Sequence, residues 1–194
     1  MQDTTRNSGM PIADVQQLIV KAQEGNHDAF RVLVERHMKQ AYNLAYGFLS
    51  DHDDAEDVAQ ESFVRAYQSL KSFRIESEFG TWLYRIVHNV ALNRLRQRKT
   101  KVERHVNLEH PLAESAVRET QSSEEKDMQA HIERALHELP TLQRSVVILR
   151  HLEGLSTRQV SGILGCTEGT VKTHLHRGLK KMKRLLAYIK KEAS

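Results

Sequence analysis

The sequence predicts an all-α protein of two small helical domains joined by a flexible linker, and three observations predict it. Only three prolines and nine glycines interrupt 194 residues that are rich in Ala, Leu, Glu, Gln, Lys and Arg, the good helix formers. Apolar residues recur at helical spacing over most of the chain, and no alternating Val/Ile/Thr run bounded by turns calls for a sheet. One stretch, residues 99–127, is polar, contains Pro111 and shows no sustained apolar period. With 39% apolar and 28% charged residues, the chain can fill two modest cores.

Residues 1–11 are polar and read as a flexible start. Ile12, Val15, Leu18, Ile19 and Ala22 then mark the face of a first helix, which Gly25 stops. Asn26 or Asp28 caps a second helix carrying Phe30, Leu33, Val34, Ala41, Leu44, Ala45 and Phe48. Asp53 opens a third, running to about Leu70, with Ala55, Val58, Ala59, Ser62, Phe63, Ala66, Tyr67 and Leu70 inward. A fourth runs from near Phe79 to about Arg98, burying Trp82, Leu83, Ile86, Val87, Val90 and Leu95. Beyond the linker, Met128, Ile132, Ala135, Leu136 and Leu139 mark a helix that ends at Pro140, and Thr141 caps the next, which ends at Gly154. Ser156 and Gln159 form a capping box, Gly165 stops that short helix, and Thr167 caps the last. In the last helix Val171, Leu175, Leu179, Met182 and Leu186 face the core. The expected domains are therefore 12–98 and 128–190.

Net charge is +4, a mild bias whose distribution says more than its sum. Residues 51–61 hold six acids and no Lys or Arg, whereas 171–191 hold eight Lys/Arg and no acid. The basic end suits a polyanion. A single cysteine, Cys166, excludes an internal disulfide and fits a reducing cytoplasm. The N-terminus lacks a basic-then-apolar signal pattern, and no apolar run approaches the ~18–20 residues of a membrane span. A soluble, cytoplasmic protein is expected. His174 and His176 point to different helix faces, and no HExxH or comparable ligand spacing occurs, so neither a metal nor a cofactor is expected.

Three stretches carry the functional signal. Residues 156–178, "STRQVSGILGCTEGTVKTHLHRG", read as a short helix, a Gly turn and a capped helix whose outer face bears Lys172, Thr173, His176, Arg177 and Lys180. That is helix-turn-helix geometry, with the second helix in the major groove and free N–H groups near Thr170 for a phosphate. Residues 51–73, "DHDDAEDVAQESFVRAYQSLKSF", place Asp57, Gln60, Glu61 and Val64 on one outward edge, either a solvated face or a docking face. Residues 72–99, "SFRIESEFGTWLYRIVHNVALNRLRQRK", align Arg85, Asn89, Asn93 and Arg96 in a polar stripe behind a loop ringed by Phe73 and Phe79. Amides read base edges, arginines hold phosphate and aromatic rings stack on unpaired bases, so the stripe is either a nucleic-acid face or the solvated side of a core helix.

Together these stretches resemble the extracytoplasmic-function (ECF) class of bacterial sigma factors, the promoter-specificity subunits of RNA polymerase. The resemblance covers roughly residues 12–98, as region 2, and 128–188, as the helix-turn-helix of region 4. It implies no catalytic activity of the chain's own. It implies that Asp57, Gln60, Glu61 and Val64 dock on core RNA polymerase. It implies that Asn89, with Phe73, Phe79, Trp82, Arg85, Asn93 and Arg96, captures the melted downstream (−10) element of promoter DNA. It sets Thr170, Lys172, Thr173, His176, Arg177 and Lys180 against the duplex upstream (−35) element. The partners it implies are the clamp of the β′ subunit, the flap of the β subunit, promoter DNA and an anti-sigma factor, with no direct membrane contact. Gly80 and Ile75 depart from the residues common at the capture loop. A stand-alone helix-turn-helix regulator would leave the acidic helix and the Asn stripe unexplained. A metal-dependent hydrolase, suggested by eleven His and the His52–Asp53 pair, lacks ligand spacing.

Overall fold

The computed structural model describes residues 12–74, 78–105 and 123–192. The polar start at 1–11, residues 106–122 of the expected linker, and Ile75 in the loop lie outside the described residues. Those described are helical, without a strand, and form two bundles. The front bundle holds α1 (Ile12–Gln23), α2 (His27–Leu49), α3 (His52–Ser69) and α4 (Phe79–His105). The rear holds α5 (Ser123–His137), α6 (Thr141–Val147), α7 (Thr157–Leu164) and α8 (Glu168–Glu192). α4 thus runs past Arg98, and α5 begins before Met128.

α2 is the hub of the front bundle, packing on α1, α3 and α4. Its Leu33, Ala41, Leu44, Ala45 and Phe48 are fully buried, as are Ala55, Val58, Ala59 and Ala66 of α3. Alanine at these crossings lets backbones approach closely while Leu and Phe fill the volume between them. Asn26 caps α2, its side chain accepting from the Ala29 amide at 2.9 Å. Asp51, rather than Asp53, caps α3, accepting from the Asp54 amide at 2.8 Å. The helix therefore starts one residue earlier than the run of acids suggests. Gln23 donates to Leu70 O and Phe73 O, both at 2.9 Å, and ties α1 to the turn that follows α3. Tyr67 is not inward as the spacing predicts. It lies at the edge over Phe30, with ring centroids 4.9 Å apart, and its hydroxyl pairs with His27 at 3.1 Å.

In the rear bundle Thr141 is the first helical residue of α6 and not its cap, because the preceding position is Pro140, which makes no side-chain cap. Pro140 leaves nothing to cap with. α6 continues into a π turn, Ile148–Leu152, closed by Gly154 at φ +67°. Arg144 donates to the carbonyls of His137 and Leu139, at 2.6 and 3.4 Å, and Arg150 donates to that of Leu155. Arg144 thereby satisfies carbonyls left open where α5 ends, and Arg150 one in the turn before α7. The Ser156–Gln159 capping box forms in both directions, at 2.9 and 3.2 Å, and Gly165 ends α7 in the left-handed conformation. Thr167 accepts from the Thr170 amide at the start of α8. Val171 is buried, with Leu175, Met182 and Leu186 partly so, whereas Leu179 and Met128 stand exposed. Leu179 loses its place to Gly178, where α8 lies so close to α6 that an added Cβ would sit 2.8 Å from Val147 Cγ2.

The bundles touch through α2 and α4. An added Cβ at Gly47 would meet Ile148 Cγ2 at 3.3 Å. Tyr84 OH donates to Glu153 at 2.9 Å, and Gln159 donates to Glu78 and Thr81 at 3.1 and 3.4 Å. Ser145 Oγ spends its proton on Thr141 O, so His88 Nε2–H donates to Ser145 Oγ at 3.0 Å. Tyr46 OH donates to Glu133 at 3.2 Å, and His137 pairs with Ser50, the left-handed residue ending α2, at 3.1 Å. Burial raises the pKa of Tyr84 and Glu153, and burial beside Glu133 pushes Tyr46 up to about 12. Burial lowers His88, with Arg96 adding to it and an Asn89 hydrogen bond opposing; burial and then Arg144 lower His137.

Gly178→Ala should destabilise the rear bundle. The stiff, buried Val147 cannot swing away, so overpacking costs about 1–3 kcal/mol, against a helix-propensity gain of ~1 kcal/mol. Urea midpoints should fall in the single variant and recover when Val147→Ala is added. Acid should also weaken the fold. His88 has a folded pKa below its ordinary value, so its contribution is present above pH ~6.5 and is lost as pH falls below it. Glu153, with a raised folded pKa, opposes this as pH falls from its folded value toward its ordinary one. The melting temperature should drop between about pH 7.5 and 5.5, less so in His88→Gln; equal drops would exclude His88 as a cause.

Candidate nucleic-acid interface

Three surfaces emerge on separate helices. On α3, Asp57, Gln60 and Val64 are exposed and Glu61 is half-buried, with Val64 at 57% the most open large apolar side chain of the described residues. The polar members already have partners. Gln60 donates to Glu56 at 3.2 Å, Arg65 pairs with Glu61 at 2.6 Å, and Asp57 lies 3.5 Å from Arg94 of α4. Any partner here exchanges weak, solvated contacts for its own and covers an uncompensated Val64.

Below this face lies a cluster that reading the edge as a solvated or docking face did not anticipate. Arg94 binds Asp54 at 2.8 Å, and Arg98 binds both Asp51, at 3.3 Å, and Asp54. Asp54 and Arg94 are mostly buried side chains. The signal was available: arginines four apart on one helix and acids three apart on another match in pitch. This cross-link fixes the outward edge of α3 against α4.

On α4, Arg85, Asn89, Asn93 and Arg96 are all exposed along one stripe, as their spacing predicts. Arg94 and Arg98, facing α3, lie off it. The aromatic residues differ from expectation. Phe73 and Phe79 are only 6% and 3% exposed and pack with Trp82 at centroid distances of 4.8 and 5.5 Å. Their rings belong to the core, because burying them stabilises the loop's two ends more than solvent exposure allows. They seat the loop and present no open stacking face; only the half-buried Trp82 keeps part of its surface outside. Gly80 lies over His37, with room for an ordinary van der Waals contact at 3.6 Å. Residues 75–77 of the loop lie outside the described residues.

On α8, Lys172, Thr173, His176, Arg177 and Lys180 are exposed, and Thr170 is half-buried with its hydroxyl 2.9 Å from that of Thr167. Thr173 donates to Gly169 O at 2.9 Å, leaving its oxygen free to accept and its methyl outward. Lys181, by contrast, is turned back onto Glu138 O. Val160 and Ile163 of α7 are buried, so α7 braces α8 and leaves the basic face open. Among the described residues no three His, Cys, Asp or Glu side chains gather to hold a metal ion. Among them, too, no helix is long and apolar enough to cross a membrane.

Residues 33–101 match the family model for Sigma-70 region 2, and residues 130–182 that for Sigma-70, region 4. The two bundles thus define a protein of the sigma-70 class. The chain is 30% identical over 180 residues to the ECF RNA polymerase sigma factor SigW of Bacillus subtilis, covering 89% of this chain and 96% of that protein. It is 37% identical over 174 residues to the ECF RNA polymerase sigma-E factor of Haemophilus influenzae, covering 84% and 89%. The fold matches the sigma factor RpoE of Bartonella quintana, solved in complex with the anti-sigma factor NepR, at a TM-score of 0.66 and 26% identity over 81% of this chain and 96% of that one. The chain belongs to the ECF RNA polymerase sigma factors.

Proposed function

We propose that this sigma factor brings core RNA polymerase to its promoters by dividing recognition between its two bundles. The observation that carries this reading is the separation of an exposed Arg/Asn stripe on α4 from an exposed basic face on α8. A duplex reader needs cations and hydrogen-bonding groups at a helix N-terminus that can enter the major groove, and α8 supplies Lys172 and Arg177 with Thr170, Thr173 and His176 beside them. A single-strand reader needs donors and acceptors that grip an unpaired base, and Asn89 with Asn93 supplies both, flanked by Arg85 and Arg96 for phosphate. Phe73, Phe79 and Trp82 pack together at the start of the helix that carries the stripe.

In this reading, Asp57, Gln60, Glu61 and Val64 dock on the polymerase clamp, and α8 with its neighbours approaches the flap. Melting DNA costs about 1.4 kcal/mol per base-pair step. Capturing a base gains on the order of 1–3 kcal/mol, so each captured base offsets about one opened step. The chain supplies specificity and strand capture, while polymerisation stays with the core enzyme in the cytoplasm. The structural neighbour bound to an anti-sigma factor supports a proteinaceous inhibitor as a further partner.

Reconstituted with core polymerase lacking its own specificity factor, the protein should give discrete transcript starts on sheared genomic DNA from its source. Asn89→Ala should keep polymerase affinity while reducing the permanganate reactivity of unpaired thymines; undiminished reactivity would exclude the stripe. Lys172→Ala with Arg177→Ala should weaken duplex binding and lower the slope of log affinity against log salt by about 2, about 1 per lost phosphate contact. An unaltered slope would remove α8 from the phosphate interface.

A further inference from the structure

In the two-element reading Gln23 and His37 have no role, yet both are committed to the ends of the loop that leads into α4. Gln23, the half-buried last residue of α1, donates its side-chain amide to Leu70 O and Phe73 O, both at 2.9 Å. An NH2 group has two donors, and both go to one turn 47 and 50 residues away. Leu70 O also accepts from the Phe73 amide at 3.0 Å, so the turn and the first residue of the loop are pinned together. At the other end His37 of α2 sets its ring against Phe79, with centroids 5.2 Å apart, while its Nδ1 pairs with Gln40 Oε1 at 2.9 Å. A Cβ at Gly80 would lie 3.6 Å from His37 Cε1, so the ring takes the space that a longer side chain at position 80 would need.

The two ends converge on Trp82. Phe73 and Phe79 meet edge-on at 6.0 Å, and Trp82 packs on them at 4.8 and 5.5 Å. Trp82 stands three residues before Arg85 and seven before Asn89, so the helical period sets it on the face of the stripe, at its head. Half-buried, it meets the loop's ends on one side and keeps part of its surface outside. We propose that Gln23 and His37 are positioning residues for −10 capture: acting through Phe73 and Phe79, they hold the ends of the loop and the Trp82 ring against the Asn89 stripe, and so set which base is accepted. The proposal rests on the assignment of that stripe to the melted strand.

Both contacts fix direction more than they add stability. A hydrogen bond gives a modest net gain on folding, because water serves the same groups in the unfolded chain. Two bonds from one planar amide, however, leave the turn no freedom to slide along α1. His37 works in the same way. Burial lowers its pKa, with the Gln40 bond opposing and Arg36 adding to it, so the ring packs as a neutral plate. The Gln40 bond then fixes how that plate is turned towards Phe79. Reading a base demands such constancy, since a good hydrogen bond spans only about 2.7–3.2 Å between heavy atoms. A loop end displaced by ~1 Å loses its share of the grip.

Full-length variants reconstituted with core polymerase test the proposal. Gln23→Ala and His37→Ala should keep helical circular dichroism, polymerase affinity and duplex binding, while the permanganate reactivity of unpaired thymines falls at least about threefold. Discrimination among bases at the captured position, read as the ratio of transcript yields from promoters differing only there, should fall by a similar factor. Gln23→Glu, which keeps the shape and loses the donors, should resemble Gln23→Ala. His37→Phe, which keeps the ring, should recover most of the wild-type opening. Trp82 is the chain's one tryptophan, so the emission of the free protein reports its seat. That emission should move to longer wavelength in both alanine variants and stay in place in His37→Phe. If either alanine variant loses its circular dichroism, the other end of the loop carries the test. Wild-type opening and discrimination in the folded alanine variants, with or without an emission shift, would overturn the positioning role. If Asn89→Ala also opens normally, the capture reading fails with it; if Asn89→Ala is impaired, the positioning role alone fails.

Discussion

The front bundle depends on the pairing of Arg94 and Arg98 with the acidic first turn of α3. Asp51 caps that helix with one oxygen and meets Arg98 with the other, while Asp54 receives both arginines. Two requirements are satisfied at one spot: the open N–H groups at the start of α3 find an acceptor, and the carboxylates that crowd there find cations. Because the arginines come from α4, the same contact fixes how α3 and α4 are rotated about their axes. The outward edge of α3 and the Asn stripe therefore hold a fixed angle to each other. A polymerase seated on α3 would feel the placement of α4 directly, through a mostly buried ion pair that cannot be deleted on one side without stranding a charge.

The rear bundle reaches its geometry by a different route, through local chain chemistry. A reciprocal capping box starts α7, a left-handed glycine ends it, and a threonine cap starts α8 three residues later. Between them these fix where the two helices of the helix-turn-helix begin and end, before tertiary contacts contribute. What remains is the separation of α8 from α6, and Gly178 sets it by omission. The basic face then points outward because Val171, Val160 and Ile163 take the inside.

Those two routes explain what could be read in the sequence. The rear caps were legible because each is a contact between residues three apart, and Ser156, Gln159, Gly165 and Thr167 stand where their types predict. The helical stripes were legible to within one position: Asn89 and its partners face outward, but Tyr67, Leu179 and Met128 do not face inward. A stripe read at fixed period cannot register a neighbour such as Gly178 that moves the contact line. Helix starts were misplaced by one position, at His52 against Asp53 and at Thr141, which begins α6 after Pro140 instead of capping it. Phe73 and Phe79 were read as open rings because a loop residue carries no period to say which way it points. The Tyr84–Glu153 pair was not legible, since 69 residues separate the partners, and the Arg94–Asp54 pair, 40 residues apart, left only its matching pitch as a signal.

Contacts within and between the bundles differ in kind. Inside each bundle, Arg94 and Gly178 set the angles between helices. Between the bundles, the buried His88–Ser145 pair and the Tyr84–Glu153 bond lie beside the apolar contact of α2 with Ile148 and Leu152 at Gly47. The pairings along the outward edge of α3 are solvated, so water or a larger interface can replace them. Deleting one member of a buried pair, within a bundle or between the two, strands a polar group that water does not reach.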